Sequence, residues 1–323
     1  NSAHSVIIVT LLPIFFDTVA GYTADSVSSM STWGYATSIA MLIVALAAPF
    51  LGVFGDIRGM RKKLFSFFML LGVAACAGMA FTPGMDFTSG PVAAGKVASL
   101  ILVLYIVSVI GFDASAIYYD AFLTDVTTED RMDKVSTMGY GLGYIGGSTI
   151  PLLIFLIMNL VGVPMLTCLA FVFGLTAVWW LAFSLPLLKN CEQTSGKPYE
   201  KGDVARSIKG VGTTIKEIIA NKPMLIYILS YFFYIDGVHT VISMATTYGT
   251  NLGLDSTGMM LALLLVQILG LPFCLLYIKC SEKFGARTMV GFGICVYMFI
   301  CIFAFFMNSL WQFWVLAVLC ATS

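Results

Sequence analysis

The sequence predicts an all-α membrane protein built from two pseudo-symmetric halves of six helices each. Three observations carry that prediction. Of the 323 residues, 59% are hydrophobic and 11% charged, with a mean hydropathy of +0.94. A water-soluble chain of this size needs far more charge to cover its surface. Apolar stretches of about 18–25 residues recur along the whole length, the size that crosses a ~30 Å hydrocarbon core as a helix. Motifs also recur: Asn1-Ser-Ala-His4-Ser-Val-Ile7 aligns with Asp236-Gly-Val-His239-Thr-Val-Ile242 at an offset of 235, and Asp56, Gly59 and Arg61 align with Glu282, Gly285 and Arg287 at 226. Repeated halves of this kind build many secondary transporters.

The apolar runs place spans at residues 1–16, 32–55, 64–82, 97–119, 137–160, 163–188, 224–246, 257–279 and 288–307, with a tenth starting near 311. This divides the chain into a first half at 1–188, a linker at 189–223 and a second half at 224–323. Asp236 lies mid-span, so its repeat partner Asn1 is expected mid-membrane too, with the start of the first helix missing. At the other end, two further helices, about a hundred residues, are expected beyond Ser323 by matching the halves.

Charge sets the orientation. Sixteen of the 17 lysines and arginines fall in loops after even-numbered spans, whereas Lys96 lies on the other side together with the acidic Asp25, Asp86 and Asp255. Positive residues mark the cytoplasmic side, so the N-terminus is expected there, in a multi-pass membrane protein. Between the halves, Val204, Ile208, Val211, Ile215 and Ile218 recur at helical spacing among Lys209, Lys216 and Glu217. That reads as an amphipathic helix on the cytoplasmic face, tethering the halves.

The loop between the second and third spans reads Gly52-x-x-x-Asp56-x-x-Gly59-x-Arg61-Lys62, echoed downstream as Glu282-Lys-Phe-Gly285-Ala-Arg287. A loop this short predicts that its two flanking helices are antiparallel neighbours. Asp56 is placed to face helix ends and the basic cluster. Together with Asp120, Asp125 and Arg131 after the fourth span, these residues make a candidate cytoplasmic gate whose charge contacts break when the halves rock. A merely solvated loop is the alternative.

Immersed polar groups are the candidates for chemistry, because an aspartate at a helix centre costs about 2.5–3.5 kcal/mol on insertion scales. Asp236 and His239 share a face of the seventh span at i, i+3 spacing. His4 holds the matching repeat position in the first span, and these are the chain's two histidines. Asn1, His4, Asp113, Tyr118, Asp236, His239 and Gln267 are thus candidates for a substrate or proton path. The competing reading of Asp236 is that it satisfies the backbone of a helix loosened at Gly237, and Asp17 reads as a solvated helix end. Gly141-Leu-Gly143-Tyr-Ile-Gly146 satisfies the dinucleotide fingerprint but opens a membrane helix instead of following a strand. Gly139, Gly143 and Gly147 read instead as a smooth strip for helix packing. Eight cysteines are scattered without a Cys-x-x-Cys pair, so no metal site is indicated. No cofactor, catalytic set or nucleic-acid-binding stripe is recognised, and the chain does not read as an enzyme.

The 52–63 loop resembles the loop between helices 2 and 3 of major facilitator superfamily transporters. Further stretches resemble one branch of it, the vacuole effluxer family of fungal autophagy-related amino-acid exporters and bacterial relatives. They are Asn1-Ser-Ala, Tyr119-Asp-Ala-Phe-Leu-Thr-Asp125, Arg131 with Val135-Ser136, and Gly139-Tyr-Gly-Leu-Gly-Tyr-Ile-Gly-Gly147. In the second half they are Tyr231-Phe-Phe-Tyr-Ile-Asp236-Gly237 and Tyr248-Gly-Thr-Asn-Leu-Gly253. His4, Asp120 and Thr124 depart from the tyrosine, asparagine and proline expected there. The resemblance implies the major facilitator fold, alternating access about a midplane site lined by spans 1, 4, 7 and 10, and efflux of neutral amino acids with protons carried through Asp236 and His239. It also implies a cytoplasmic latch in which Asp56 and Arg61 make contacts present in the outward-open state alone. A monomer is expected, with a small solute and the bilayer as its partners. A sugar- or drug-type carrier, or a non-transporting receptor or scaffold, are the alternatives.

Overall fold

A computed structural model describes residues 2–23, 29–196 and 203–322. Among them every regular element is helical. The first half comprises α1 (Ser2–Ala20), α2 (Ser29–Gly55), α3 (Arg61–Met79), α4 (Pro91–Ala121), a short α5 (Leu123–Val126), α6 (Met132–Leu142), α7 (Ile150–Leu160) and α8 (Met165–Asn190). The linker forms α9 (Asp203–Ala220); α10 (Lys222–Asn251), α11 (Ser256–Phe284), α12 (Ala286–Phe305) and α13 (Leu310–Ala321) follow. Eight helices of the described residues are long and apolar enough to cross a membrane, and α7 and α13 are shorter apolar helices. The chain is an integral, multi-pass membrane protein.

The helices outrun the hydropathy boundaries. The seventh span, expected at 224–246, runs from Lys222 to Asn251. Apolar runs report the part matched to hydrocarbon, whereas the backbone keeps its internal hydrogen bonds into the interface. Side chains mark where several helices start. Asn221 Oδ1 accepts from the Met224 amide at 3.3 Å, and Asp255 Oδ2 from Gly258 at 2.6 Å. Ser309 and Gln312 form a reciprocal capping box ahead of α13.

The fifth span is α6 and α7 joined by a π-helical turn, Gly143–Thr149. The wider turn leaves carbonyls without their usual partners, and side chains supply them. The Thr149 hydroxyl donates to the Tyr144 carbonyl at 2.7 Å, and Trp179 Nε1 donates to Gly146 at 3.1 Å.

One expectation is corrected. Helices α2 and α3 touch little beyond their connecting loop; both pack instead on α4, which α3 contacts most extensively. Glycines at the crossing explain the choice. A Cβ on Gly111 of α4 would lie 2.5 Å from the Gly72 amide nitrogen of α3, and one on Gly72 would lie 2.4 Å from the Trp180 ring of α8. Missing side chains therefore let α3, α4 and α8 pack close together. A large core runs through the first half, with Trp33, Tyr105, Tyr118 and Trp180 fully buried. A second core gathers Met259, Ala262, Ile300, Met307, Phe313 and Leu316. Helix α11 joins the two, because Met260 and Leu264 belong to the first.

Candidate functional site

At the end bearing the basic loops, three segments distant in sequence converge on Arg61. Gly59, with φ +82°, turns the chain so that Arg61 opens α3. Helix α4 ends at Ala121, and α5 presents Asp125. The segment leaving α8, Cys191–Gly196, passes over both. Arg61 Nη1 donates to Asp125 Oδ2 at 2.5 Å, to the Ala121 carbonyl at 3.0 Å and to Ser195 Oγ at 3.1 Å. Its guanidinium lies over the Phe122 ring, 5.7 Å from the centroid. The Arg61 and Asp125 side chains are 5% and 0% exposed, so the pair is shielded from solvent. Asp125 Oδ1 also accepts from the Thr194 and Ser195 amides and the Thr194 hydroxyl at 2.9–3.1 Å. Gln193 completes the clasp, accepting from the Gly59 and Arg61 amides and donating to the Gly55 carbonyl. Lys62 Nζ donates to the Cys191 carbonyl at 3.0 Å.

The expected gate residues divide. Arg61, Lys62, Gly59 and Asp125 meet in this cluster, which is built from the first half and the start of the linker and takes no partner from 224–323 among the described residues. Asp56 is not the main partner of Arg61: its side chain is 81% exposed and its carboxylate stands 4.0 Å from Nη2. The turn points Asp56 outward, whereas α5 sets Asp125 against the guanidinium. Asp120, Arg131, Glu282 and Arg287 are exposed and form no ion pair among the described residues. A Cβ on Gly52 would meet open space. Gln193, Thr194 and Ser195 escape a reading based on charge, since none is ionisable.

Helix α10 carries a polar stripe. At about 3.6 residues per turn, Asp236, His239, Ser243, Thr247 and Thr250 fall on one side of it. Val241, Ala245 and Tyr248 occupy the other side and pack into the second core, and Tyr234 there faces Tyr297 of α12. Thr247 and Thr250 meet α1 and α2 of the first half across a cavity at the end away from the basic loops. Nearby, a Cβ on Gly34 of α2 would come within 3.9 Å of Met244. Asp236 and His239 are exposed along this stripe.

The two histidines occupy different surroundings. His4 is 2% exposed inside the first half. Its Nε2 shares a 2.5 Å hydrogen bond with Ser108 Oγ, and its ring stacks on Phe112 at 4.6 Å and leans on Trp180 at 5.1 Å. Equal repeat positions thus receive unequal neighbours, because α1 is enclosed by α4 and α8 while α10 leaves this turn uncovered.

The remaining candidates are dispersed. Tyr118 donates to the Leu51 carbonyl at 3.0 Å and lies against Gly55, tying α4 to α2. Asp113 buries Oδ2 without a hydrogen-bond partner among the described residues. Gln267 is buried on α11, one turn before Gly270, where a Cβ would lie 2.8 Å from the Tyr144 ring. Cβ atoms on Gly143 and Gly147 would each lie 2.6 Å from the Ser2 side chain, whereas one on Gly139 would have the Tyr119 hydroxyl at 3.9 Å as its nearest contact. Gly141–Gly146 runs through α6 and the π turn. Asn1 lies outside the described residues. No group of metal-ligating side chains occurs among the described residues.

The vacuole effluxer Atg22-like family matches residues 17–131 and 124–323. The chain is 39% identical over 331 residues to the MFS-type transporter YxiO of Bacillus subtilis (strain 168), covering 100% of this chain and 74% of that protein. It is 24% identical over 177 residues to autophagy-related protein 22-1 of Penicillium rubens, covering 51% of this chain and 30% of that longer relative. In three dimensions it resembles the crystal structure of a D-xylose-proton symporter, with a TM-score of 0.53, 15% identity, and coverage of 100% of this chain and 78% of the other. At that identity the likeness is one of fold.

Proposed function

Because the chain belongs to the Atg22-like vacuole effluxer family, and is a transporter of the major facilitator type, we propose that it exports small neutral amino acids by alternating access, coupled to protons. The observation that carries this reading is the α10 stripe. Asp236 and His239 are costly groups in a membrane span, and they lie on the side of α10 turned away from its own core and, two turns later, toward the first half. A carboxylate and an imidazole one turn apart are suited to exchanging a proton as the solute binds. The two halves, 1–188 and 224–323, would rock about this face while 189–223 tethers them. The basic loops support a cytoplasmic N-terminus, by the positive-inside rule, and the bacterial relative supports a bacterial cell. The protein would act as a monomer in the inner membrane. Contacts among α1, α2 and α10 at the opposite end support a form closed to the outside. The Arg61 clasp fits a brace that stiffens the first half better than a latch between halves, since all its partners lie in residues 55–196.

The test is counterflow of radiolabelled L-leucine in proteoliposomes, with and without a pH gradient, against a panel of sugars. Leucine exchange that depends on the gradient, and loses that dependence in Asp236→Asn, is the expected result. Full transport with unchanged pH dependence in Asp236→Asn would remove Asp236 from the proton path. Exchange of sugars and of no amino acid would move the reading to a sugar carrier.

A further inference from the structure

The fifth span and α11 meet across the two halves, and each is weakened at the level where they touch. In the fifth span the weak point is the π turn Gly143–Thr149, held by the Thr149 hydroxyl on the Tyr144 carbonyl and by Trp179 Nε1 on the Gly146 carbonyl. In α11 it is Pro272, which has no amide hydrogen to give the carbonyl of Ile268. The two weak points are in close contact. A Cβ on Gly270, midway along α11, would lie 2.8–3.1 Å from Cγ, Cδ1 and Cδ2 of the Tyr144 ring. One on Gly141, just before the π turn, would lie 2.8 Å from Leu271 Cδ1. The Tyr144 ring therefore fills the place of a Gly270 side chain, and it does so with its base, which cannot swing aside as its tip could. By comparison, a Cβ on Gly34 would stay 3.9 Å from Met244 across the contact of α2 with α10, an ordinary spacing.

Position gives this contact its meaning. The halves also meet where α10 packs on α1 and α2, at the end away from the basic loops. That contact must part whenever that end opens to a solute. A contact halfway along both spans can persist, because tilting two crossed rods displaces their ends far more than the point where they cross. Single π turns inside helices recur at functional places, and a proline opposite one gives the second helix room to bend. We propose that the Tyr144 ring seated on Gly270 is the fulcrum on which the two halves turn, set in place by the π turn and given play by Pro272. Tyr144 is then a positioning residue for transport, acting through the relative tilt of the halves. Such a fulcrum rests on the alternating-access reading, whichever solute is carried.

The experiment wedges the seam with Gly270→Ala. Counterflow of radiolabelled L-leucine in proteoliposomes is expected to slow about tenfold, an overpacking strain carried into the barrier, with KM held within about twofold. Adding Tyr144→Ala removes the ring atoms that the new methyl meets, so the double variant should recover much of the lost rate. Gly291→Ala, whose Cβ on α12 meets open space, should transport as the unaltered protein does. Deuterium uptake gives a readout that needs no solute. In Gly270→Ala the amides of residues 244–251, at the far contact with α1 and α2, should take up deuterium several times faster, and revert in the double variant. Uptake altered around 141–149 and 267–274 alone would mark a local packing contact and overturn the fulcrum. So would a double variant that transports no faster than Gly270→Ala. Should Gly270→Ala fail to fold, Thr149→Val keeps the side-chain volume and removes the hydroxyl that bridges the π turn. It is expected to slow counterflow at unchanged KM, and an unchanged rate overturns the role of the turn. No leucine counterflow in the unaltered protein removes the amino-acid reading and leaves the fulcrum to be decided by deuterium uptake.

Discussion

Gly59 and Gly285, 226 residues apart, hold the same positive backbone torsion, φ +82° in each. Each stands just before a helix whose first turn carries a basic residue, Arg61 in α3 and Arg287 in α12. A Cβ at either position would meet nothing within 4 Å, so the glycine is there for its backbone and not for room. The repeat visible in the residues is therefore also a repeat of a positive φ ahead of a helix. Replacing Gly59 or Gly285 with Ala is expected to cost about 1–3 kcal/mol in each case, the strain of a side chain at such a torsion. Thermal unfolding in detergent micelles checks it, and an unaltered melting temperature for both variants would refute the need for a positive φ at these two positions.

Gly111 makes a different demand. Its Cβ would run into the Gly72 backbone, which has no flexible side chain to move aside. Gly111→Ala should lower stability by about 1–3 kcal/mol or more through overpacking. Gly95→Ala, on the same helix but facing open space, should leave stability nearly unchanged or slightly raised. Equal melting temperatures for these two variants would contradict the close α3–α4 crossing.

Arg61 and Asp125 form a shielded pair whose free lone pairs are also hydrogen-bonded. Asp125→Ala strands a buried guanidinium and is expected to cost about 3–5 kcal/mol. Asp56→Ala should cost under about 1 kcal/mol, as befits an exposed carboxylate. Limited proteolysis at residues 191–196 should accelerate in the Asp125 variant, because the clasp over that segment is lost. Protection equal to that of the unaltered protein would show that Asp125 does not hold it.

The two histidines should separate experimentally. His4→Ala removes a ring stacked between Phe112 and Trp180, so the loss should fall on stability, by about 2–5 kcal/mol as for other large-to-small core changes. His239→Ala removes an exposed group and should leave the melting temperature within a degree or two while altering the pH dependence of transport. The reverse pattern would mean that repeat position, and not surroundings, decides what each histidine does.

Much of the fold was legible because membrane insertion reads local composition. Runs of apolar residues located the eight helices of the described residues that are long and apolar enough to cross a membrane, and the shorter α7 and α13, and the heptad-like spacing of isoleucines and valines located α9. Asp236 and His239 stood out for the same reason, being polar in an apolar run. Partner choice was another matter. Asp56 is five residues from Arg61 and looked its natural counterion, yet the guanidinium takes Asp125, 64 residues away, because α5 brings that carboxylate beneath it. Gln193–Ser195 carry no charge to betray them, and they were found from contacts alone. What the residues determined by themselves was which segments enter the bilayer, since transfer energy adds up along a stretch of chain. The tertiary structure alone decided which side chains meet, because close packing at small residues and the desolvation of polar groups depend on neighbours that the chain brings in from afar.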